Sequence, residues 1–231
     1  MRTSIRTLTT AIILCAACTA FGAGGGEMSN PSGGIGSRSG STQSPEEQAR
    51  TLHIAGVRAV AKADELDADA ARQSDAKKQA KLAGKSRNTY AGALKKFTRA
   101  TELNPGLHEA WNYVGYTNRK LGNFEAALTA YDRALSLKPG YPEAIEYRGH
   151  AYLGLNRLSE AKEAYLTLYA GNRKLASQLL AAMQAWVGEH RGNAAGVDGA
   201  MVESFSAWVI ERNTIAGQTA SLTREGASAA W

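Results

Sequence analysis

Residues 108–141 read HEAWNYVGYTNRKLGNFEAALTAYDRALSLKPGY, and residues 142–175 read PEAIEYRGHAYLGLNRLSEAKEAYLTLYAGNRKL. At an interval of 34 residues the second stretch answers the first. Trp111, Val114 and Gly115 fall on Ile145, Arg148 and Gly149; Phe124, Ala127, Tyr131 and Ala134 fall on Leu158, Ala161, Tyr165 and Leu168. A fixed period of this size means stacked supersecondary units, each too small to bury its own apolar face. Trp111, Val114, Gly115 and Asn118 are spaced i, i+3, i+4, i+7 and therefore share one helical face. Gly122-Asn123 supplies a tight turn, and Pro139 halts a second helix. Each unit thus reads as a helix pair, and small residues at Gly115, Ala127 and Ala134 let the helices approach closely.

These offsets resemble the tetratricopeptide repeat, W-x2-L-G-x2-Y, then A-x3-F, then P. The best unit supplies Trp111, Val114, Gly115, Gly122, Phe124, Ala127, Tyr131, Ala134 and Pro139, and departs at Asn118, where an aromatic is usual. In the next unit Gly149, Tyr152, Ala161 and Tyr165 match, whereas Arg148 replaces an aliphatic, Leu168 replaces a small residue, and no proline closes it. Upstream, Tyr90, Ala93, Phe97, Ala100 and Pro105 read as the second helix of a preceding repeat. Its first helix is missing at the usual spacing, because Lys81 and Gly84 stand there; Leu52-x2-Ala55-Gly56-x2-Ala59 has the right offsets, with about 25 extra residues intervening. Downstream, Leu179, Ala182, Met183 and Trp186 sit at first-helix offsets and begin a cap. The resemblance implies an all-α fold, a short right-handed solenoid of antiparallel helix pairs with extra helices at both ends. The expected organisation is a signal-like segment over 1–22, a flexible linker over 23–45 and a degenerate first repeat over 46–107. Repeats over 108–141 and 142–175 and capping helices over 176–231 complete it. Abundant alanine and scarce β-branched runs agree with helix throughout.

The ends bound where the chain resides. Met1 to Gly22 has Arg2 and Arg6, an apolar run from Leu8 to Phe21, and small residues at Ala20, Gly22 and Ala23, the three parts of a secretory signal. Cleavage near Gly22 or Ala23 is the first expectation, giving an exported, periplasmic protein without Cys15 or Cys18, hence without disulfide or thiol chemistry. The alternative is a lipid anchor: Leu14-Cys15-Ala16-Ala17-Cys18 resembles a bacterial lipoprotein box, with Cys18 as the candidate modification site and Cys15 where that box prefers leucine. Seven Gly and six Ser between residues 23 and 44 make the following stretch a tether. The formal charge of +6 falls to +4 without Arg2 and Arg6, too small for a dedicated nucleic-acid binder.

No catalytic constellation emerges. Gly84-Lys85-Ser86 matches the end of a P-loop, but its first glycine would be Gln79 and the preceding segment reads as helix; Gly84 is expected to end a lysine-rich helix before a turn at Asn88. His53, His108, His150 and His190 lack metal-ligand spacing, and no G-x-S-x-G occurs, so neither a metal nor a cofactor is expected. Asp64, Glu65, Asp67 and Asp69 lack calcium-loop spacing and read as a solvated face. With Asp75 they precede Lys77, Lys78, Lys81, Lys85 and Arg87. One reading of that charge order is a helical hairpin projecting a basic patch; the other is a soluble helix pair whose bases complement a helix C-terminus.

The resemblance also implies a binding surface. First helices of tetratricopeptide units line a concave groove through positions 2, 5, 9 and 12, here Glu109, Asn112, Tyr116 and Arg119, then Glu143, Glu146, His150 and Leu153, with Gln184 from the cap. The implied partner is a protein or peptide, with no nucleic acid and no membrane contact except through a lipid anchor. Asn112 suits a peptide backbone because its amide donates and accepts. Glu143 and Glu146 would repel a C-terminal carboxylate and favour a cationic or neutral segment, with Arg119 as an internal partner. Met201, Phe205, Trp208 and Val209 form a second apolar stripe after the N-cap Asp198. It either packs back on the stack or docks a partner or second copy in an envelope assembly.

Overall fold

The computed structural model describes residues 43–192 and 197–228, with side chains through Thr219. Residues 1–42, which hold the signal-like segment, Cys15, Cys18 and nearly all of the linker, lie outside the described residues, as does Trp231. Among the described residues there are eight helices and no strand: α1 (Pro45–Ala71), α2 (Ala76–Leu103), α3 (His108–Lys120), α4 (Phe124–Leu137), α5 (Pro142–Gly154), α6 (Leu158–Gly171), α7 (Arg173–His190) and α8 (Gly199–Ser228). Each packs chiefly on its sequence neighbours, with α7 also reaching back to α5. This is an all-α, tetratricopeptide-like solenoid.

Close approach explains the register of the helix pairs. A Cβ built on Gly115 of α3 would lie 2.4 Å from the Tyr131 ring of α4, so only glycine lets that ring seat. Phe97, Tyr131 and Tyr165 recur at the 34-residue period and are at most 1% exposed, and Ala93, Ala127 and Ala161 repeat alongside at 0%. The α1–α2 pair obeys the same rule, because a Cβ on Gly56 would lie 2.6 Å from the Phe97 ring. Without an insertion the partner of Phe97 would be Lys81; it is Gly56, 25 positions earlier. The additional chain is divided between the two helices, extending the hairpin by roughly 19 Å at ~1.5 Å per residue.

Local chemistry sets the ends. Ser44 and Glu47 close a reciprocal capping box on α1, with Pro45 in the first turn. Asp75 caps α2, accepting from Lys77 N at 2.9 Å and Lys78 N at 3.0 Å. Gly122 turns between α3 and α4 with φ 86°, and one period later Asn156 takes φ 57° between α5 and α6, the non-glycine residue best suited to that region. Asn156 also accepts from Trp186 Nε1 at 3.1 Å.

Three expectations are corrected here. The turn lies at Arg72–Asp75, not at Asn88; α2 runs unbroken through Gly84 and Asn88. One glycine costs a helix interior only about 1 kcal/mol, which the surrounding Ala, Lys and Leu outweigh. The bases Lys77, Lys78 and Lys81 consequently occupy the first turns of α2, the end where the helix dipole disfavours cations, so dipole complementarity does not explain them. The composition of Gly188 to Gly199, rich in Gly and Asn, predicts a long turn after Trp186, but Gly188 still belongs to α7, which runs to His190. Asp198 does cap α8, accepting from Ala200 N at 3.1 Å.

The second apolar stripe is mostly interior. Phe205 and Val209 are 1% and 3% exposed, in one core with Trp186, Val187, Leu168 and Met183, and Phe205 meets Trp186 edge-on at 5.3 Å. Met201 and Trp208 are half-buried against the same core, with Lys162 above the Trp208 ring. Docking a partner or second copy through Phe205 and Val209 is therefore ruled out in this fold. Burying that stripe on α7 removes it from water without any partner.

Candidate functional site

The first helices α1, α3 and α5 stand side by side along one face of the stack, the face that the repeat resemblance implies to be the inner one. A line of rings crosses them. His53 of α1 meets Tyr113 of α3 at 5.4 Å, Tyr113 lies 6.1 Å from Tyr116, and Tyr116 meets Tyr147 of α5 at 5.0 Å. Phe97 stacks beneath Tyr113 at 4.9 Å and fixes its plane. At the α3 entrance His108 meets Tyr141 at 5.1 Å and pairs with Glu109 at 3.1 Å. Rigid half-buried tyrosines offer large contact area at low entropic cost, with a polar tip for orientation.

One end of this line is tied down by carboxylates. Tyr116 donates to Asp64, its oxygen 2.8 and 3.0 Å from the two carboxylate oxygens, and the Tyr90 hydroxyl donates to the same carboxylate. Lys120 pairs with Asp67 at 2.7 Å and lies 3.6 Å from Asp64. Burial opposes ionisation of Asp67, but Lys120, Ser86 and Tyr90 outweigh it and hold the carboxyl below its usual range. These two acids are thus a clamp between the long hairpin and α3, not a solvated face.

The groove residues expected from the repeat positions divide into two groups. Glu109, Tyr116, Arg119, Glu143 and His150 are partly or well exposed on this side of the stack, as is Gln184 on α7. Asn112, Glu146 and Leu153 are not: they are 1%, 5% and 5% exposed. Asn112 therefore cannot grip a peptide backbone, because α3 is enclosed by its neighbours at that register, and its Oδ1 is buried without a partner. Glu146 is bonded to His150 Nε2 at 2.7 Å. Arg119 forms no ion pair with Glu143 or Glu146; its guanidinium lies over Tyr116 at 5.1 Å and Tyr147 at 5.7 Å. A planar cation gains from ring faces what it would otherwise take from a carboxylate.

The period itself carried a signal for the residues that repeat positions missed. Tyr113 and Tyr147 are the same residue one interval apart, one place beyond the expected Asn112 and Glu146. His53 takes the place of Asn112 once Gly56 is set on Gly115, whereas Asp64 had no such signal, since it lies in the insertion.

The electrostatics favour neutral phenols beside negative carboxylates. Burial, then Asp64 and Glu143, push the Tyr113 phenol up. Burial, then Glu143 and Glu109, push Tyr141 up to about 12, and burial, then Glu146, push Tyr147 up to about 12. Burial and the hydrogen bond to Asp64 push Tyr116 up as well. The face thus combines aromatic area, hydroxyl donors and acidic rims at Glu109 and Glu143, which suits side chains that are apolar or positively charged. Among the described residues no group of three His, Cys, Asp or Glu side chains is placed to hold a metal ion.

Residues 77–142 match the tetratricopeptide repeat family. That span joins α2 to the unit formed by α3 and α4. Two similar solved structures are the first tetratricopeptide domain of Spaghetti (RPAP3) bound to the HSP90 peptide SRMEEVD and the NMR structure of the first such domain of human RPAP3. The former is 20% identical, covers 61% of this chain and 94% of that one, and has a TM-score of 0.44. The latter is 19% identical, covers 64% and 99%, and has a TM-score of 0.45. No curated protein matches the chain.

Proposed function

We propose that the protein is a non-catalytic protein–protein interaction scaffold that captures a peptide or helix on the inner face of its tetratricopeptide repeats. The observation that carries this reading is the continuous ring line His53, Tyr113, Tyr116 and Tyr147 across three first helices, rimmed by Glu109 and Glu143. The partner segment is neutral or cationic, since the rim carboxylates would repel an acidic one. The proposed setting is the bacterial cell envelope, on the strength of the signal-like Met1 to Gly22, with the chain either freed into the periplasm or anchored through Cys18. Among the described side chains of α8, through Thr219, the large apolar residue left exposed is Ile210, which does not amount to a second docking face.

Site-specific photocrosslinking in living cells tests the reading without disturbing the core. A photoreactive residue placed at exposed Glu143 should trap a defined partner, whereas one at exposed Leu166, on α6 and away from the first helices, should not. Equal trapping from both sites, or none from residue 143, would refute capture on the inner face.

A further inference from the structure

Helix α2 carries eight Lys or Arg among its 28 residues and a single acid, Glu102. At ~100° per residue, Lys77, Lys78, Lys81, Lys85, Lys95, Lys96 and Arg99 all fall within an arc about 100° wide. The buried residues Ser86, Tyr90, Ala93, Phe97 and Ala100 centre on the opposite side, so the cationic arc faces away from the core. It extends roughly 33 Å along a straight helix at ~1.5 Å per residue. Six of its seven members are well exposed, and Lys96 is half-exposed.

The acids of α1 do not neutralise it. Asp64 and Asp67 are engaged by Tyr90, Tyr116 and Lys120; Glu65 pairs with Lys62 at 3.1 Å and Asp69 with Arg72 at 2.6 Å. Within the arc only Arg99 has a carboxylate, Glu102 at 2.8 Å. Among the described residues the six lysines have none. Such a line of like charge costs self-repulsion and opposes the α2 dipole at Lys77 and Lys78, where only the capping Asp75 carboxylate, bonded to their backbone and not to their ammonium groups, offsets it.

We propose that this lysine stripe docks the protein on an anionic phospholipid surface, with α2 lying flat on the headgroups and the inner face of the stack left free. The chemistry favours lipid over nucleic acid. No aromatic side chain stands in the arc to stack on bases, which single-stranded nucleic acid requires. The only arginine in it is already paired, so bidentate recognition of phosphates or guanine is absent. Between the lysines stand Asn88 and Gly92, which leave the stripe low enough for all six ammonium groups to meet one plane. Between Lys77 and Arg99 no apolar side chain shares the arc, and among the described residues no helix is long and apolar enough to cross a membrane, so attachment is electrostatic and peripheral.

The test is partitioning of the full chain onto vesicles of phosphatidylcholine with 30% phosphatidylglycerol (about one lipid in three, enough to set a negative surface potential), expressed as a ratio to pure phosphatidylcholine. That ratio cancels whatever residues 1–42 contribute on neutral lipid. Each lysine near an anionic surface is worth about fivefold. The triple variant Lys77→Gln/Lys81→Gln/Lys85→Gln should therefore lower the ratio about a hundredfold, and the corresponding Lys→Arg triple variant should retain it. High salt should abolish it, because the screening length falls to about 3 Å at 1 M. Removing equal charge elsewhere, through Arg58→Gln/Arg133→Gln/Lys174→Gln, should change it far less. Equal losses from the two charge-removing triples would reduce the effect to net charge and overturn the stripe. No preference for anionic vesicles at low salt would overturn it too. Tighter, lysine-dependent binding to duplex DNA than to the vesicles would reassign the stripe to nucleic acid.

Discussion

Replacing Gly56 by alanine probes the pairing that places the long hairpin in the stack. In an exposed helix interior, glycine to alanine gains about 0.8–1.0 kcal/mol. Gly84 and Gly92 of α2 are such sites, with nothing within 4 Å of the added methyl, so Gly84→Ala should stabilise by about that amount. At Gly56 the methyl would lie 2.6 Å from Phe97 Cε1 and Cζ. Phe97 is 0% exposed and stacked on Tyr113 at 4.9 Å, so its ring cannot swing aside. Overpacking of this kind costs about 1–3 kcal/mol, which exceeds the helical gain, and Gly56→Ala should destabilise by about 1 kcal/mol. The two substitutions should therefore differ by about 2 kcal/mol in urea unfolding followed by circular dichroism, the identical chemical change giving opposite signs. Shortening the ring supplies a cross-check: in a Phe97→Leu background the Gly56→Ala penalty should fall, a coupling of about 1 kcal/mol in the double-mutant cycle. If Gly56→Ala stabilises as Gly84→Ala does, α1 is not seated on Phe97 and the split insertion is wrong.

Other consequences follow from single contacts. Asp64→Ala leaves the Tyr116 hydroxyl without its acceptor, Tyr90 with only the longer bond to Asp67 at 3.2 Å, and Lys120 short of one carboxylate; thermal unfolding should show a loss of about 1–3 kcal/mol, and an unchanged midpoint would remove the clamp from consideration. Asn156→Gly keeps the left-handed turn but loses the bond from Trp186, so it should cost about 1 kcal/mol and shift indole fluorescence, whereas Asn156→Ala should cost about 1–2 kcal/mol more through backbone strain. Seven of the nine tyrosines have pKa values raised in the fold, Tyr90, Tyr113, Tyr116, Tyr131, Tyr141, Tyr147 and Tyr165. A phenol raised in the folded state binds its proton longer there than in the unfolded chain, so stability is full below about pH 10 and falls as pH rises beyond it. Tyrosinate absorbance from these seven should accordingly appear late and together with loss of helix, after an early step from Tyr169, whose hydrogen bond with Thr219 pulls its phenol down; ionisation of more than two of the nine tyrosines near pH 10 with the fold intact would contradict the burial of these rings.

Much of the architecture was legible because the period fixes it. Gly115, Ala127, Tyr131 and their counterparts 34 residues on are compelled by helix-to-helix distance, and distance is what repeats. The degenerate first helix was legible for the same reason: Gly56 had to be small to admit Phe97. The turn was not. Gly84 and Asn88 looked like punctuation, but a glycine weighs against a helix only locally, whereas the place where α1 ends is set by Asp75 capping the next helix. The site was half legible. Repeat positions identify the helix that faces inward, yet one step around it separates Asn112, enclosed at 1% exposure, from Tyr113 in the ring line. Which of two adjacent residues reaches the surface depends on how tightly α1, α3 and α5 converge, and that depends on long-range packing absent from any local pattern.

The acid-rich end of α1 connects the two faces of the molecule. Had Asp64 and Asp67 paired with the lysines of α2 across the hairpin, the stripe would be neutral and the Tyr116 hydroxyl free for a ligand. They turn instead toward α3, which leaves α2 cationic and commits Tyr116 to Asp64. Tyr116 is therefore a fixed ring against which Arg119 and Tyr147 rest, and under the proposed capture polar recognition would pass to Tyr113, Tyr147 and the rim carboxylates. A ligand held there would feel the hairpin through this one carboxylate. Asp64→Asn keeps the size and an acceptor oxygen but removes the charge, so it should weaken the hold of Lys120 while leaving the ring line in place. Capture on the inner face should then persist in Asp64→Asn and fail in Asp64→Ala. Failure in both would mean that the full carboxylate is needed to seat Tyr116, because the asparagine variant removes the charge and also turns one of the two acceptor oxygens into a donor.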